Sequence, residues 1–138
     1  MKERKYTRKD FLERKIKPYA MECKVLYDEN KIAYAYSLHG NPILFYGERI
    51  ENGYKKISLL VYPMHNYIDY NGVYHTDECS KTTKERINSI LACHGLNLRL
   101  IQENFKIYLM VENKNKIEVR YQISMDGCIH DYSKLDIF

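Results

Sequence analysis

Three short pairings of histidine with cysteine are the first residues of this chain whose types suit chemistry: His75-x3-Cys79, Cys93-His94 and Cys128-x-His130. Imidazole nitrogen and thiolate sulfur are the ligands zinc prefers. A structural zinc site, however, needs matched short pairs such as Cys-x2-Cys followed by a second pair, and no such pattern occurs. Cys93 and His94 are adjacent on a helical stretch and leave it in different directions, and His94 continues the apolar stripe, which reads as a core histidine. No metal and no cofactor is implied. Cys128 with His130, or Cys79 with His75, also have the types of a thiol nucleophile and its base. That chemistry depends on a lowered thiol pKa and an oriented imidazole, and small buried thiols are the commoner outcome. Asp69, Asp77 and Glu78 are the carboxylates that a nuclease or glycosidase would pair, but their spacing does not mark a pair. None of the six glycines forms a Gly-x-Gly or Gly-x4-Gly-Lys phosphate loop, which argues against an NTPase. The chain reads as a non-enzyme.

Residues suited to binding are better represented. Fourteen tyrosines and no tryptophan occur in 138 residues, and tyrosine serves where one side must be dry and the other must touch something. Tyr34, Tyr36, Tyr46, Tyr54 and Tyr62, interleaved with Arg49, Lys55 and Lys56, have the types of a surface that stacks unpaired bases over a basic groove. Tyr67, Tyr70 and Tyr74 lie in one stretch and read either as a protein contact surface or as a loop folded back over a sheet. Residues 1–17 carry eight Lys or Arg against three acids, a local +5, while the other 121 residues sum to −1. Arg4, Lys5, Arg8 and Lys9 thus form a basic arm suited to phosphate or an acidic partner, or simply a solvated helix face. Lys81, Thr82, Thr83 and Lys84, with Arg86 just beyond, open a helix whose N-terminus would suit phosphate, although hydroxyls gather at helix starts for capping alone.

The elements that must position these residues follow from periodicity. Thr7-Arg8-Lys9-Asp10 resembles a capping box and starts a short amphipathic helix over 8–16 that Pro18 stops. The period then becomes strand-like over 23–27, 31–38, 43–50 and 54–62, with turns at 28–30 and 39–42 and an Asn52-Gly53 hairpin signal. This predicts a four-stranded antiparallel meander. In the second strand Ile32, Tyr34 and Tyr36 share one side, and Ala33, Ala35 and Ser37 the other. The alanine side is expected to be closely covered. Residues 63–77 read as a long loop holding a second Asn-Gly at 71–72. A helix follows from about Ser80, with a Thr82-x-x-Glu85 box, apolar positions Ile87, Ile90, Leu91 and His94, and Gly95 at C′. Strands return over 97–102, 105–111 and 116–124, and residues 128–138 form a tail that is expected to lie against the sheet. The fold class is α+β: an antiparallel meander with an N-terminal helix and one central helix packed on one side, in a single domain.

Composition bounds the setting. Hydrophobic and charged fractions of 45% and 29% are those of a soluble globular chain, and no apolar run reaches the ~18 residues of a membrane span. Met1-Lys2-Glu3-Arg4-Lys5 has no apolar signal region, so the chain is expected in the cytoplasm with Cys23, Cys79, Cys93 and Cys128 reduced.

Tyr36-Ser37-x4-Pro42-Ile43, followed by Tyr74-x5-Ser80-x-Thr82-Thr83-x3-Ile87-Asn88, resembles small uncharacterised proteins of phages and prophages of low-GC Gram-positive bacteria. Two departures stand out: the turn before Pro42 is longer, and Arg86 stands where those proteins often have histidine. The resemblance implies a phage-encoded accessory protein of the host-cell cytoplasm, and small phage proteins of this style include anti-CRISPR inhibitors that occlude a nuclease. A DNA mimic would need an acidic surface, whereas this chain is net +4. The expected partner is therefore a host or defence protein, such as a CRISPR effector or its guide RNA complex. The alternative is a small nucleic-acid-binding protein that uses the tyrosine and basic surface.

Overall fold

Buried and exposed residues alternate from Met21 to Val25, at the start of a run of hairpin-linked strands. The computed structural model describes residues 2–62, 65–68, 70–77, 81–103, 106–112 and 118–122. Strand β1 (Lys2–Lys5) and helix α1 (Arg8–Glu13) precede β2 (Met21–Tyr27), β3 (Lys31–Leu38), β4 (Asn41–Glu51) and β5 (Tyr54–Val61). These five strands form one antiparallel sheet in sequence order, so the meander is extended by a strand the alternation pattern did not reveal. All four residues of β1 are exposed and charged, and it pairs with β2 from Lys2 opposite Tyr27 to Lys5 opposite Lys24. A short, charged edge of this kind discourages further strand addition. The expected N-terminal arm is thus partly built into the sheet.

Helix α1 starts where the sequence indicates. Thr7 is its N-cap, its hydroxyl accepting from the Asp10 N–H, and the Asp10 carboxylate accepts from the Thr7 N–H at 2.7 Å. It ends earlier than expected. Lys15 adopts φ 59°, and the Ile16 and Lys15 N–H groups bond back to Phe11 and Leu12 carbonyls, closing the helix before Pro18 can act.

The turns explain the register. His39-Gly40 and Asn52-Gly53 have positive φ at both residues, the geometry of two-residue turns that match strand twist. Asp28 accepts from the Asn30 and Lys31 N–H groups at 2.9 Å each and closes the β2–β3 turn. Register slips between Tyr36 and Ser37 opposite β4, a bulge that lets the successive residues Ile43 and Leu44 both be buried.

Residues 63–77 are not a structureless loop. Strands β6 (His65–Ile68) and β7 (Tyr74–Asp77) pair antiparallel, and Gly72 takes φ 78° in the turn between them. Helix α2 (Lys81–Cys93) follows, then β8 (Leu98–Glu103), β9 (Lys106–Glu112) and β10 (Glu118–Gln122) in a separate three-stranded antiparallel sheet. Gly95 at φ 71° caps α2, its N–H bonding to Ala92 and that of Leu96 to Leu91. Asn88 ties α2 to β8 by accepting from the Leu100 N–H at 2.7 Å and donating to the Leu100 carbonyl.

One core joins the layers. Phe11 and Ile16 from the α1 region, Ile87, Ile90 and Leu91 from α2, and Leu100 and Leu109 from the second sheet belong to one buried cluster with the inner face of the five-stranded sheet, α2 packing against both β4 and β8. The fold is therefore α+β with its helices on one side. Residues 123–138, including the expected tail, lie outside the described residues. Among the described residues no helix is long and apolar enough to cross a membrane.

Candidate functional site: two faces of one sheet

Cross-strand register divides the tyrosines between two faces. Val25, Tyr34, Tyr46 and Leu59 stand in one row, and Cys23, Tyr36, Leu44 and Val61 in the next, both turned to the core. Tyr54 and Tyr62 have the opposite parity. Tyr36 is 0% and Tyr46 1% exposed while Tyr54 is 72% exposed on the other face, so the five tyrosines expected to stack bases do not share one surface. The reason is packing: a tyrosine ring on the side covered by helices is core, and its hydroxyl finds a buried partner.

That partner is His94 at the end of α2. The Tyr36 hydroxyl and His94 Nε2 are 2.8 Å apart, the Tyr46 ring stacks on the imidazole at 4.0 Å, and Tyr34 meets it edge-on at 4.7 Å. Tyr46 donates to Glu48 Oε1 at 2.5 Å, and Lys55 Nζ reaches the same oxygen at 3.0 Å. Tyr6 adds edge contacts to Phe11, Tyr34 and Tyr36, and the Arg14 guanidinium covers its ring at 4.7 Å. Its hydroxyl is buried without a hydrogen bond of good geometry.

The electrostatics of this cluster are those of a core. Burial lowers the His94 pKa to about 4, so the ring is neutral at pH 7. Burial likewise raises Tyr36 and Tyr46 far above the ordinary phenol value. Burial also pushes the Cys23 thiol up to about 12, and raises Cys93. A catalytic thiol needs the reverse shift. For Glu48 burial works upward, but the hydrogen bonds from Tyr46 and Lys55 outweigh it and hold the carboxylate ionised. His94 is half-buried and packs against the core residues Tyr36 and Tyr46.

The other face is left open by the described residues. Lys24, Ala35, Phe45 and Leu60 form one outward row, and Leu26, Ala33, Gly47 and Ser58 the next. Ala33 and Ser58 are exposed, and Leu26, Ala35, Phe45 and Leu60 are half-buried. Among the described residues nothing covers the alanine side as expected. Small side chains at the centre, with Leu26 on one flank and Phe45 and Leu60 on the other, leave a groove of about 280 Å³. Tyr62 braces its far wall by meeting the Phe45 ring edge-on at 5.8 Å. A substitution at Gly47 would find its Cβ 3.8 Å from the Ile32 carbonyl oxygen, an ordinary contact, so glycine there serves the open floor and not a tight backbone approach.

The residues expected to bind are dispersed. Arg4, on the inward side of β1, lies 5.8 Å from the Tyr6 ring, and Lys5 is exposed opposite Lys24. Arg8 and Lys9 are exposed on α1, Lys9 being 3.8 Å from Glu13. Tyr70 is 98% exposed at the β6–β7 turn. Tyr67 and Tyr74 lie in the paired strands, where Tyr67 stands opposite His75 and Tyr74 opposite Ile68. The side chains of Tyr67, Tyr74, His75 and Asp77 lie outside the described part of the molecule, as do Asp69, Glu78, Cys79, Ser80, Cys128 and His130. Among the described residues no group of three potential ligands is placed to hold a metal.

At the α2 start, Lys81 and Thr82 are exposed and Thr83 and Lys84 half-buried. Thr82 lies inside the first turn, since the helix begins at Lys81, so the expected Thr82–Glu85 capping box is displaced. Arg86 is corrected outright. It is 6% exposed, and its Nε is buried without a hydrogen-bond partner, so it is no surface contact.

Sequence reasoning missed the groove. Its signal was present in the Ala33-x-Ala35 alternation opposite Tyr34 and Tyr36. No protein-family model matches the chain, and neither a curated protein nor a solved structure matches it.

Proposed function

We propose that this protein is a binding protein without catalysis of its own, which acts by docking a macromolecular partner on the outer face of its five-stranded sheet. The supporting observation is the open apolar groove at Leu26, Ala33, Ala35, Phe45 and Leu60, on a face that the helices leave bare. Exposed apolar surface on a folded sheet is costly in water and is commonly retained for contact. The thiols argue in the same direction, because burial holds Cys23 and Cys93 in their unreactive form.

The resemblance to phage accessory proteins suggests the biological setting: an inhibitor in the host cytoplasm that occludes a defence macromolecule, in the manner of an anti-CRISPR protein. Direct nucleic-acid binding loses its support, since Tyr36 and Tyr46 are committed to the core. The basic segment of Lys5, Arg8 and Lys9 remains available to assist docking.

Affinity capture from the lysate of a low-GC Gram-positive host, with and without nuclease, tests this reading. It requires a protein retained in stoichiometric amount after nuclease treatment. Retention of nucleic acid alone, lost on nuclease treatment, would overturn it.

A further inference from the structure

The outer face carries an arrangement of charge that folding alone disfavours. Lys31, Arg49 and Lys56 stand directly opposite one another across β3, β4 and β5. All three are exposed, and like charges directly opposite in a sheet are destabilising. One carboxylate serves two of them, Glu51 lying 3.2 Å from Arg49 and 3.8 Å from Lys56. Lys31 has no ion-pair partner among the described residues. At the opposite end of the sheet Lys5 stands opposite Lys24, and there Glu3 reaches only Lys24, at 3.3 Å.

The apolar groove runs beside this row. Leu26, Ala33, Gly47 and Ser58 occupy the next outward positions along the strands, two residues from Lys31, Arg49 and Lys56. Anything seated in the groove therefore lies within side-chain reach of three cations.

Resting on the docking reading above, we infer that the partner is a protein segment that places apolar side chains in the groove and carboxylates against Lys31, Arg49 and Lys56. Charge complementarity selects this occupant. A second copy of the chain would bring its own cationic row to the face. A nucleic acid could use the row through its phosphates and the exposed Tyr54 ring beside it, but it would leave the apolar groove at Leu26, Phe45 and Leu60 unfilled. An acidic apolar segment uses both halves of the surface. The cations steer its approach and select its charge, and the groove supplies the desolvated contact.

The test uses a short synthetic amphipathic peptide of leucine and glutamate. Its controls are a leucine and lysine twin of the same pattern, a glutamate and serine peptide, and a single-stranded oligonucleotide. Each is titrated into the full chain while backbone amide shifts are followed. The leucine–glutamate peptide should shift Ala33, Ala35 and Gly47 together with Lys31, Arg49 and Lys56, and bind about tenfold more tightly than its lysine twin, as expected for a few exposed ion pairs acting together. In the triple variant Lys31→Gln, Arg49→Gln, Lys56→Gln that preference should vanish with the melting temperature unchanged or raised.

Equal binding of the two leucine peptides at the groove would overturn the charge assignment while leaving docking intact. Binding of the serine peptide or the oligonucleotide as tight as that of the leucine–glutamate peptide would overturn the partner class. If neither leucine peptide shifts the groove amides, the groove itself is excluded, and the docking reading fails with it.

Discussion

Ala35 and Tyr36 are consecutive on β3 and face opposite sides of the sheet, Tyr36 fully buried against His94 and Ala35 lining an open groove. The pleat separates them, and the positions of the helices give each its environment. One face is spent on stability, and the other carries the proposed contact surface.

The bond between Tyr36 and His94 should be a main tie between α2 and the sheet. Tyr36→Phe removes the hydroxyl and leaves the His94 nitrogen without its partner in a buried cluster. The expected loss is about 1–3 kcal/mol in urea unfolding. An unchanged midpoint and slope would show that the bond contributes nothing.

His94 also sets a pH dependence. Its folded pKa of about 4 lies below the ordinary 6.5, so the unfolded chain binds the proton more readily. The stabilisation is complete above about pH 6.5 and is lost as pH falls through about 4. Unfolding free energy should drop over that window by up to roughly 3 kcal/mol. His94→Phe should flatten the slope, and an identical slope in that variant would assign it to other groups.

The two threonines at helix starts should behave oppositely. Thr7 is a true N-cap within a capping box, and Thr7→Ala should cost about 1 kcal/mol. Thr82 is exposed within the first turn of α2, where alanine is the better helix former, so Thr82→Ala should be neutral or stabilising by about 0.5 kcal/mol. Thermal melts of the two variants distinguish these outcomes.

Cys23 is 2% exposed with its pKa pushed up to about 12. Thiol reagents at neutral pH should reach it only through unfolding, at a rate that rises with urea. Rapid labelling of Cys23 in the native protein would contradict its placement in the core.

Much of the meander was legible because alternation is dictated by the pleat. Asn52-Gly53, the Thr7 capping box and the Gly95 cap each act through local geometry, and each appears where the residues indicate. Strand β1 was not legible: Lys2-Glu3-Arg4-Lys5 has no apolar alternation, and it pairs only because β2 offers an open edge. Asn71-Gly72 carried the hairpin signal for β6 and β7, but their four-residue strands are too short to show a period.

The site was legible in composition but not in direction. Alternation shows that Tyr34 and Ala35 face opposite sides without showing which side the helices cover. The tyrosines attracted the functional reading because their rings suit contact, and those same rings attracted the core. Arg86 likewise read as surface from its charge, and only the packing of α2 shows it buried.

The most direct measurement compares partner capture by the wild-type chain and by an Ala33→Arg, Ala35→Arg variant, both nuclease-treated and both checked for unchanged melting. The account predicts that the wild type retains a stoichiometric protein partner and that the variant loses it, because two guanidinium groups fill the groove without touching the core. Equal retention by the two proteins would contradict the claim that the outer sheet face is the binding surface.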